Sequence, residues 1–172
     1  LSDNGASQEG GPFGVMHEMK FFNFLIETPD EAVARIDDIG GPHSHANYPW
    51  GWAQAGNTPF KWYKQNTHEG GVHVPMIVHW PAGITDGGSV RHQFHHVNDI
   101  VLSIYEDHGI TPPETYRGFE QMPVTGTPMN GTFGDRDAPD AKTVQYFEMM
   151  GHRAIYADGW KAVTKHKPGT PY

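Results

Sequence analysis

The chain has 172 residues, with 12 Lys+Arg against 20 Asp+Glu and a formal net charge of −8 with histidine neutral, a length that allows about one domain with a core of its own. An acidic balance with no block of basic residues argues against nucleic acid or an anionic membrane surface as partner, and apolar runs as short as Pro75-Met76-Ile77-Val78 span no bilayer. Five Trp, seven Tyr and nine Phe argue against disorder, 21 Gly and 14 Pro predict abundant loops and turns, and the absence of cysteine excludes a disulfide framework, a thiolate metal site or a Cys nucleophile within these residues.

The chain opens without an initiator Met on Leu1-Ser2-Asp3-Asn4-Gly5, an acidic-amide turn that reads as the interior of a longer protein. The first 24 residues are glycine-rich and irregular, which suits a loop lining a site. A helix is predicted over 29–39. Thr28 and Glu31 form a capping box, Pro29 fits the first helical position, and Ala32, Val33, Ile36 and Ile39 make one apolar stripe before Gly40-Gly41. A long polar and aromatic segment, 42–71, holds Pro49-Trp50-Gly51-Trp52. Val72–Trp80 reads as a strand buried on both faces around Met76-Ile77-Val78, and 89–95 as a further short strand. A second helix is expected over 98–108, with Ile100, Val101, Ile104 and Tyr105 on one face and Gly109 as its stop. A loop of some thirty residues follows from Thr111-Pro112-Pro113. The chain then changes character. Val144–Met149, Arg153–Ala157 and Trp160–Lys165 read as strands, and Asp158-Gly159 signals a type I′ hairpin. Pairing across that turn places Ile155, Ala157, Trp160 and Ala162 on one face, and Tyr156, Lys161 and Val163 on the other.

Few constellations suggest chemistry. Asp3 and Asn4 offer adjacent hard oxygen ligands suited to Ca²⁺ or Mg²⁺, yet the same residues make an ordinary turn. Lys64, five residues before Glu69-Gly70-Gly71, is either a point cation for an anionic group or a solvated lysine, and Glu69 reads as an acceptor fixing the loop. Twelve histidines include His43/His45 and His92/His95/His96, but they scatter over loops and no HExxH pattern occurs. Asp135, Asp137 and Asp140 mimic part of a calcium loop without its glycine and distal Glu. Tyr48, Trp50 and Trp52 offer either packing or a stacking platform for a sugar. The five serines lack a nucleophile setting, and no G-x-S-x-G, Walker or dinucleotide fingerprint occurs.

Taken together the motifs resemble the sulfatase family, specifically the C-terminal part of an arylsulfatase-type catalytic domain. Ser2-Asp3-Asn4-Gly5 resembles its S-D-N-G turn, and Lys64 through Glu69-Gly70-Gly71-Val72-His73-Val74-Pro75 its K-x4-E-G-G-x-R-x-P stretch, with His73 in place of Arg. Met76–Pro81 resembles the strand that follows, Asn98–Ile110 the family's D-[IL]-x-P-T helix with Leu102-Ser103 for Pro-Thr, and Gly151–Lys161 its R-A-I…G-W-K hairpin. The resemblance implies an alkaline-phosphatase-like α/β fold, with a mixed sheet flanked by helices and a small C-terminal antiparallel sheet. Residues 1–141 would belong to the catalytic domain and 142–172 to the start of the antiparallel subdomain. It implies hydrolysis of a small-molecule or sugar sulfate ester, with Ca²⁺ held in part by Asp3 and Asn4 and with Lys64 contacting sulfate. The formylglycine nucleophile and the other ligands would precede Leu1, leaving this segment inactive alone. A periplasmic or secreted setting goes with the resemblance. The alternatives are a phosphomonoester, phosphodiester or phosphonate hydrolase of the same superfamily, and a non-catalytic carbohydrate-binding module.

Overall fold

The computed structural model describes residues 4–167 and divides them into two units, one of 4–77 with 146–154 and 162–167, the other of 78–145 with 155–161.

In the first unit, α1 (Glu18–Phe22) lies within the stretch expected to be irregular; His17 caps it by accepting the Met19 N–H. An antiparallel bridge between Val15 and Asn47 ties this region to the aromatic segment. Glu27, buried at 6% exposure, ion-pairs with Lys20 and accepts the Met16 N–H at 2.6 Å. Burial pushes its carboxyl up, but those two bonds outweigh that and hold it below its usual value.

The Thr28/Glu31 capping box forms as expected: the Thr28 hydroxyl accepts from the Glu31 N–H, and the Glu31 carboxylate accepts the Thr28 N–H at 2.8 Å. Such a cap contributes about 1 kcal/mol. The helix it starts is shorter than predicted. α2 spans Pro29–Val33, and a 3₁₀ turn at Ile36–Asp38 replaces its continuation. Val33, Ile36 and Ile39 are all exposed, so the apolar stripe lacks the packing that sustains most protein helices. Two helices arise inside the aromatic segment, α3 (Trp50–Gly56) and the single turn α4 (Glu69–Val72).

The strand expected at 72–80 is absent. The segment after α4 is extended but unpaired in any sheet, and Ile77 is 86% exposed. A doubly buried strand exists only where neighbouring strands and covering helices enclose it, and no strand among the described residues pairs with this one. The short strand expected over 89–95 is likewise irregular.

In the second unit, α5 (Asp99–Asp107) matches the predicted helix, but its buried face is polar. Asp99 and Ser103 are enclosed, whereas Val101 and Ile104 are exposed. The reason is an ion pair that sequence spacing did not reveal. Asp99 accepts the His96 and Thr127 N–H groups at 2.7 Å each, and the buried Lys142 ammonium lies 3.0 Å away. Ser103 adds to the knot. Its hydroxyl donates to the Asp99 carbonyl and accepts the Met129 N–H, and its carbonyl takes the Asn130 amide. The long loop after residue 110 carries the small hairpin β1 (Thr115–Tyr116) and β2 (Phe119–Glu120), then the single turn α6 (Gly131–Gly134).

His95 lies beside this ion pair. Burial depresses its pKa below 6.5; Asp99 and Asp140 oppose the shift and Lys142 adds to it. The unfolded chain therefore binds a proton at His95 before the folded chain does, so the contribution is intact above pH 6.5 and is lost as pH falls below it. Urea unfolding at pH 7.5, 6.5 and 5.5 should show stability declining across that window, with a shallower decline in His95→Gln. An identical slope in the variant would remove His95 from the account.

The three expected strands form, as β3 (Val144–Met149), β4 (His152–Ala157) and β5 (Trp160–Thr164), and make one three-stranded sheet in the order β3-β4-β5. Asp158 and Gly159 have φ of 47° and 83°, as a type I′ turn demands. Met150 and Gly151, at 51° and 77°, make the second hairpin turn. Tyr156, Lys161 and Val163 are half-buried while Ile155, Trp160 and Ala162 are exposed, so the two predicted faces separate, with Ala157 half-buried as the exception. Tyr156 stacks on Phe94 at 3.9 Å between ring centroids.

Candidate functional site

Three pieces of backbone converge in the first unit. The Gly5 N–H donates to the Gly71 carbonyl at 3.1 Å, the Lys64 N–H to the Ala6 carbonyl at 3.0 Å, and the Gly70 N–H to the Lys61 carbonyl at 2.9 Å. The approach leaves no room for side chains. A Cβ on Gly5 would lie 1.7 Å from the Gly70 oxygen, and one on Gly70 would lie 1.8 Å from the Trp62 oxygen. The glycines of the E-G-G stretch are thus required by backbone proximity.

Lys64 sits on this convergence. Its Nζ is 2.7 Å from Glu9 Oε1, and the Ser7 hydroxyl donates to Glu9 Oε2 at 2.7 Å. Burial pushes the Glu9 carboxyl up, but the Lys64 and Ser7 hydrogen bonds outweigh it and hold the group below the usual carboxylate value. Glu9 is in turn positioned by the aromatic segment. The Trp50 indole N–H donates to the Gln8 carbonyl at 2.7 Å, the Trp50 N–H donates to the Gly11 carbonyl at 3.0 Å, and the Gln8 and Gln65 amides pair. An ammonium has three donors; Glu9 engages one, and the lysine is half-buried. A fixed, charge-paired ammonium of this kind can meet an anionic oxygen without first being ordered.

The backbone on either side of Lys64 is strained. Trp62 and Gln65 adopt φ of 67° and 71°, a left-handed conformation costing roughly 1–3 kcal/mol each away from glycine. Side chains from the end of α3 hold it. Gln54 Oε1 accepts the Trp62 N–H at 2.8 Å, and Asn57 Nδ2 donates to the Trp62 carbonyl at 2.9 Å.

Glu69 Oε2 lies 2.8 Å from His73 Nδ1, one helical turn on, and the His73 ring stacks on Phe60 at 4.5 Å. Asn4 is half-exposed and precedes the Gly5–Gly71 bond directly. The structure therefore brings the Asn4 segment against the Lys64 loop. Asp3, the other sequence-predicted ligand, lies outside the described residues. Among the described residues no three His, Cys, Asp or Glu side chains gather around a possible ion. The oxygen chemistry at positions 3 and 4 fits a hard cation as two ligands of a larger set, since Ca²⁺ takes six to eight. The carboxylates of the acidic loop bind backbone instead: Asp135 accepts the Asp137 N–H within a local turn, and Asp140 accepts the N–H of the distant Phe94, at 2.9 Å each. Tyr48 and Trp52 line an open apolar cavity with Ala55 and Gly56. Trp50, grouped with them in sequence, is tied to the Glu9 loop.

Sequence reasoning missed Glu9 and Asn57. Glu9 lies 55 positions from Lys64, with no local pattern to announce it. Asn57 had a weak signal in its place between Gly56 and Thr58-Pro59, where a helix must end.

Comparison with known proteins points to one family. The family model for Sulfatase matches residues 1–110. The chain is 34% identical over 80 residues to human N-acetylgalactosamine-6-sulfatase, covering 46% of this chain and 15% of that protein. It is 25% identical over 135 residues to an arylsulfatase of Klebsiella aerogenes, covering 76% of this chain and 26% of the relative. An uncharacterized sulfatase of Schizosaccharomyces pombe shares 28% over 137 residues, covering 78% and 24%. The region matched is thus about a quarter or less of these relatives' length. The backbone convergence of Gly5, Lys64 and Gly70-Gly71 lies within the matched residues. The chain belongs to the sulfatase family.

Proposed function

We propose that this chain supplies part of the active site of a sulfuric ester hydrolase. In this reading Lys64 is the cation that meets the sulfate, Asp3 and Asn4 are two oxygen ligands of a calcium ion, and the nucleophile, by family resemblance a formylglycine, comes from sequence outside these residues. The observation that carries the reading is the docking of the Lys64 loop on the Asn4 segment, through the Lys64 N–H and the Ala6 carbonyl, in a chain of the sulfatase family. Residues 1–141 then belong to an alkaline-phosphatase-like catalytic domain and 142–172 begin its antiparallel subdomain.

The chemistry is coherent with these residues. Cleaving a sulfate ester moves negative charge onto the leaving oxygen, and a fixed ammonium stabilises that charge without reorganising. Glu9 holds the ammonium in place, and the strained backbone at Trp62 and Gln65 fixes its root. A calcium ion at positions 3 and 4 would supply further positive charge against the sulfate oxygens. The substrate class is a small-molecule or sugar sulfate ester, in keeping with relatives named as an arylsulfatase and an N-acetylgalactosamine-6-sulfatase.

The test assays a sulfatase polypeptide that carries this segment, using matched aryl sulfate and aryl phosphate substrates with and without a calcium chelator. Sulfate hydrolysis, lost on chelation, is expected. A preference for the phosphate would instead assign the segment to a phosphomonoester, phosphodiester or phosphonate hydrolase. The 172-residue chain alone should turn over neither substrate, because it contains no nucleophile precursor; turnover would refute the shared-site reading.

A further inference from the structure

We infer that Asn57 is a positioning residue for this site, a clamp whose one carboxamide holds the Asn4 segment, the Lys64 loop and the Gly70-Gly71 turn together. The inference rests on the reading of Lys64 and Asn4 given above. Asn57 caps the C-terminus of α3, and every polar atom of its side chain is used. Its Oδ1 accepts the Ala6 N–H at 3.2 Å, and its Nδ2 donates to the Trp62 carbonyl at 2.9 Å and to the Gly70 carbonyl at 2.8 Å. Ala6 is two residues from Asn4 and itself accepts the Lys64 N–H. Trp62 is two residues from Lys64, in the left-handed conformation that the loop requires. Gly70 is the position where a side chain would collide with Trp62. A single amide with one acceptor and two donors therefore matches one N–H and two C=O groups from three separate stretches.

Asparagine is specific to this task. Aspartate has the same size but no donor, so it would set a carboxylate against two carbonyl oxygens. The loop would shift rather than unfold, and displacing a reacting group by about 1 Å can cost on the order of 100-fold in rate.

The experiment compares Asn57→Asp, Asn57→Ser and Gln93→Ala in an active sulfatase carrying this segment, measuring kcat, KM and melting temperature with an aryl sulfate. Gln93 is the control, since its amide also donates to two backbone carbonyls, those of Arg136 and Ala138, and none of these three residues belongs to the proposed site. Asn57→Asp should lower kcat about 10- to 100-fold with KM changed less than about threefold, and Gln93→Ala should leave both near the parent. Combining Asn57→Asp with Lys64→Ala should cost less than the product of the separate losses, because the clamp acts through the lysine. Should Asn57→Asp not fold, Asn57→Ser carries the same expectation at smaller amplitude. A kcat loss no greater than that of Gln93→Ala, or full multiplicativity with Lys64→Ala, overturns the inference. An unaffected Lys64→Ala would overturn the site reading instead, so the two failures are distinct.

Discussion

Replacing Lys64 by alanine is expected to lower turnover of a sulfate ester roughly 10²- to 10³-fold, the usual cost of losing one preorganised transition-state donor, while calcium affinity stays nearly unchanged. The contrast is Asp3→Ala, which removes a charged ligand in the proposed site; activity should fall by orders of magnitude and return in part as calcium is raised. The Lys64 result has a structural confounder that the geometry identifies. Removing the lysine leaves Glu9 buried beside Ser7 without its ammonium partner, and losing a hydrogen bond to a charged group costs about 1.5–3 kcal/mol. The double variant Lys64→Ala with Glu9→Gln separates the two effects. Removing both charges should recover much of the stability in urea and none of the turnover. Lys61→Ala is the control. Its side chain is exposed, and only its carbonyl, which the substitution keeps, takes part in the local bonding. Equal damage from Lys61→Ala and Lys64→Ala would misplace the motif. Silence at both lysines, with Asp3→Ala damaging, would leave the metal ligands and remove the sulfate contact.

Lys142→Met is expected to destabilise the protein by about 3–5 kcal/mol, the cost of breaking a buried ion pair from one side. Methionine preserves most of the aliphatic stem, so lost packing is a minor part of the effect. Asp99 is fully buried, 0% exposed, and its two backbone N–H partners remain, but the charge 3.0 Å away is gone. Asp99→Asn should also destabilise. Its two oxygens each accept one backbone N–H, and an amide nitrogen in either place would face a donor. The two substitutions should be strongly non-additive in a double-mutant cycle, because the first removes the partner that the second would lose. Equilibrium urea unfolding checks this. A change within 0.5 kcal/mol for Lys142→Met would mean that the pair contributes nothing to the fold.

Several features were legible in the sequence because they are set within a few residues. The Thr28/Glu31 capping box, the helix over Asp99–Asp107 and the Asp158-Gly159 hairpin depend on local bonding, helical period and tolerance of positive φ. Apart from Ala157 beside the turn, the alternation along β4 and β5 separated covered from exposed residues, because successive side chains of a pleated strand point to opposite faces. Family membership was legible in the spacing of Lys64, Glu69, Gly70 and Gly71 beside the S-D-N-G turn.

Tertiary structure decided the rest, and it did so where apolar pattern and polar partnership disagree. The stripes on 29–39 and on α5 predicted buried apolar faces, yet Val33, Ile36, Val101 and Ile104 are exposed while Asp99, Ser103 and Lys142 are enclosed. Hydrophobic period says which face of an element is apolar. It does not say what lies opposite, and a charge can be enclosed only if a distant residue brings the complementary group. Glu9 for Lys64, Lys142 for Asp99 and Asn57 for three backbone stretches are all of this kind. The residues that carry the proposed chemistry were thus readable one at a time in the sequence. Glu9 and Lys142 were not, because an enclosed ion pair is satisfied across chain separations that no local spacing encodes, and Asn57 showed only its place at a helix end.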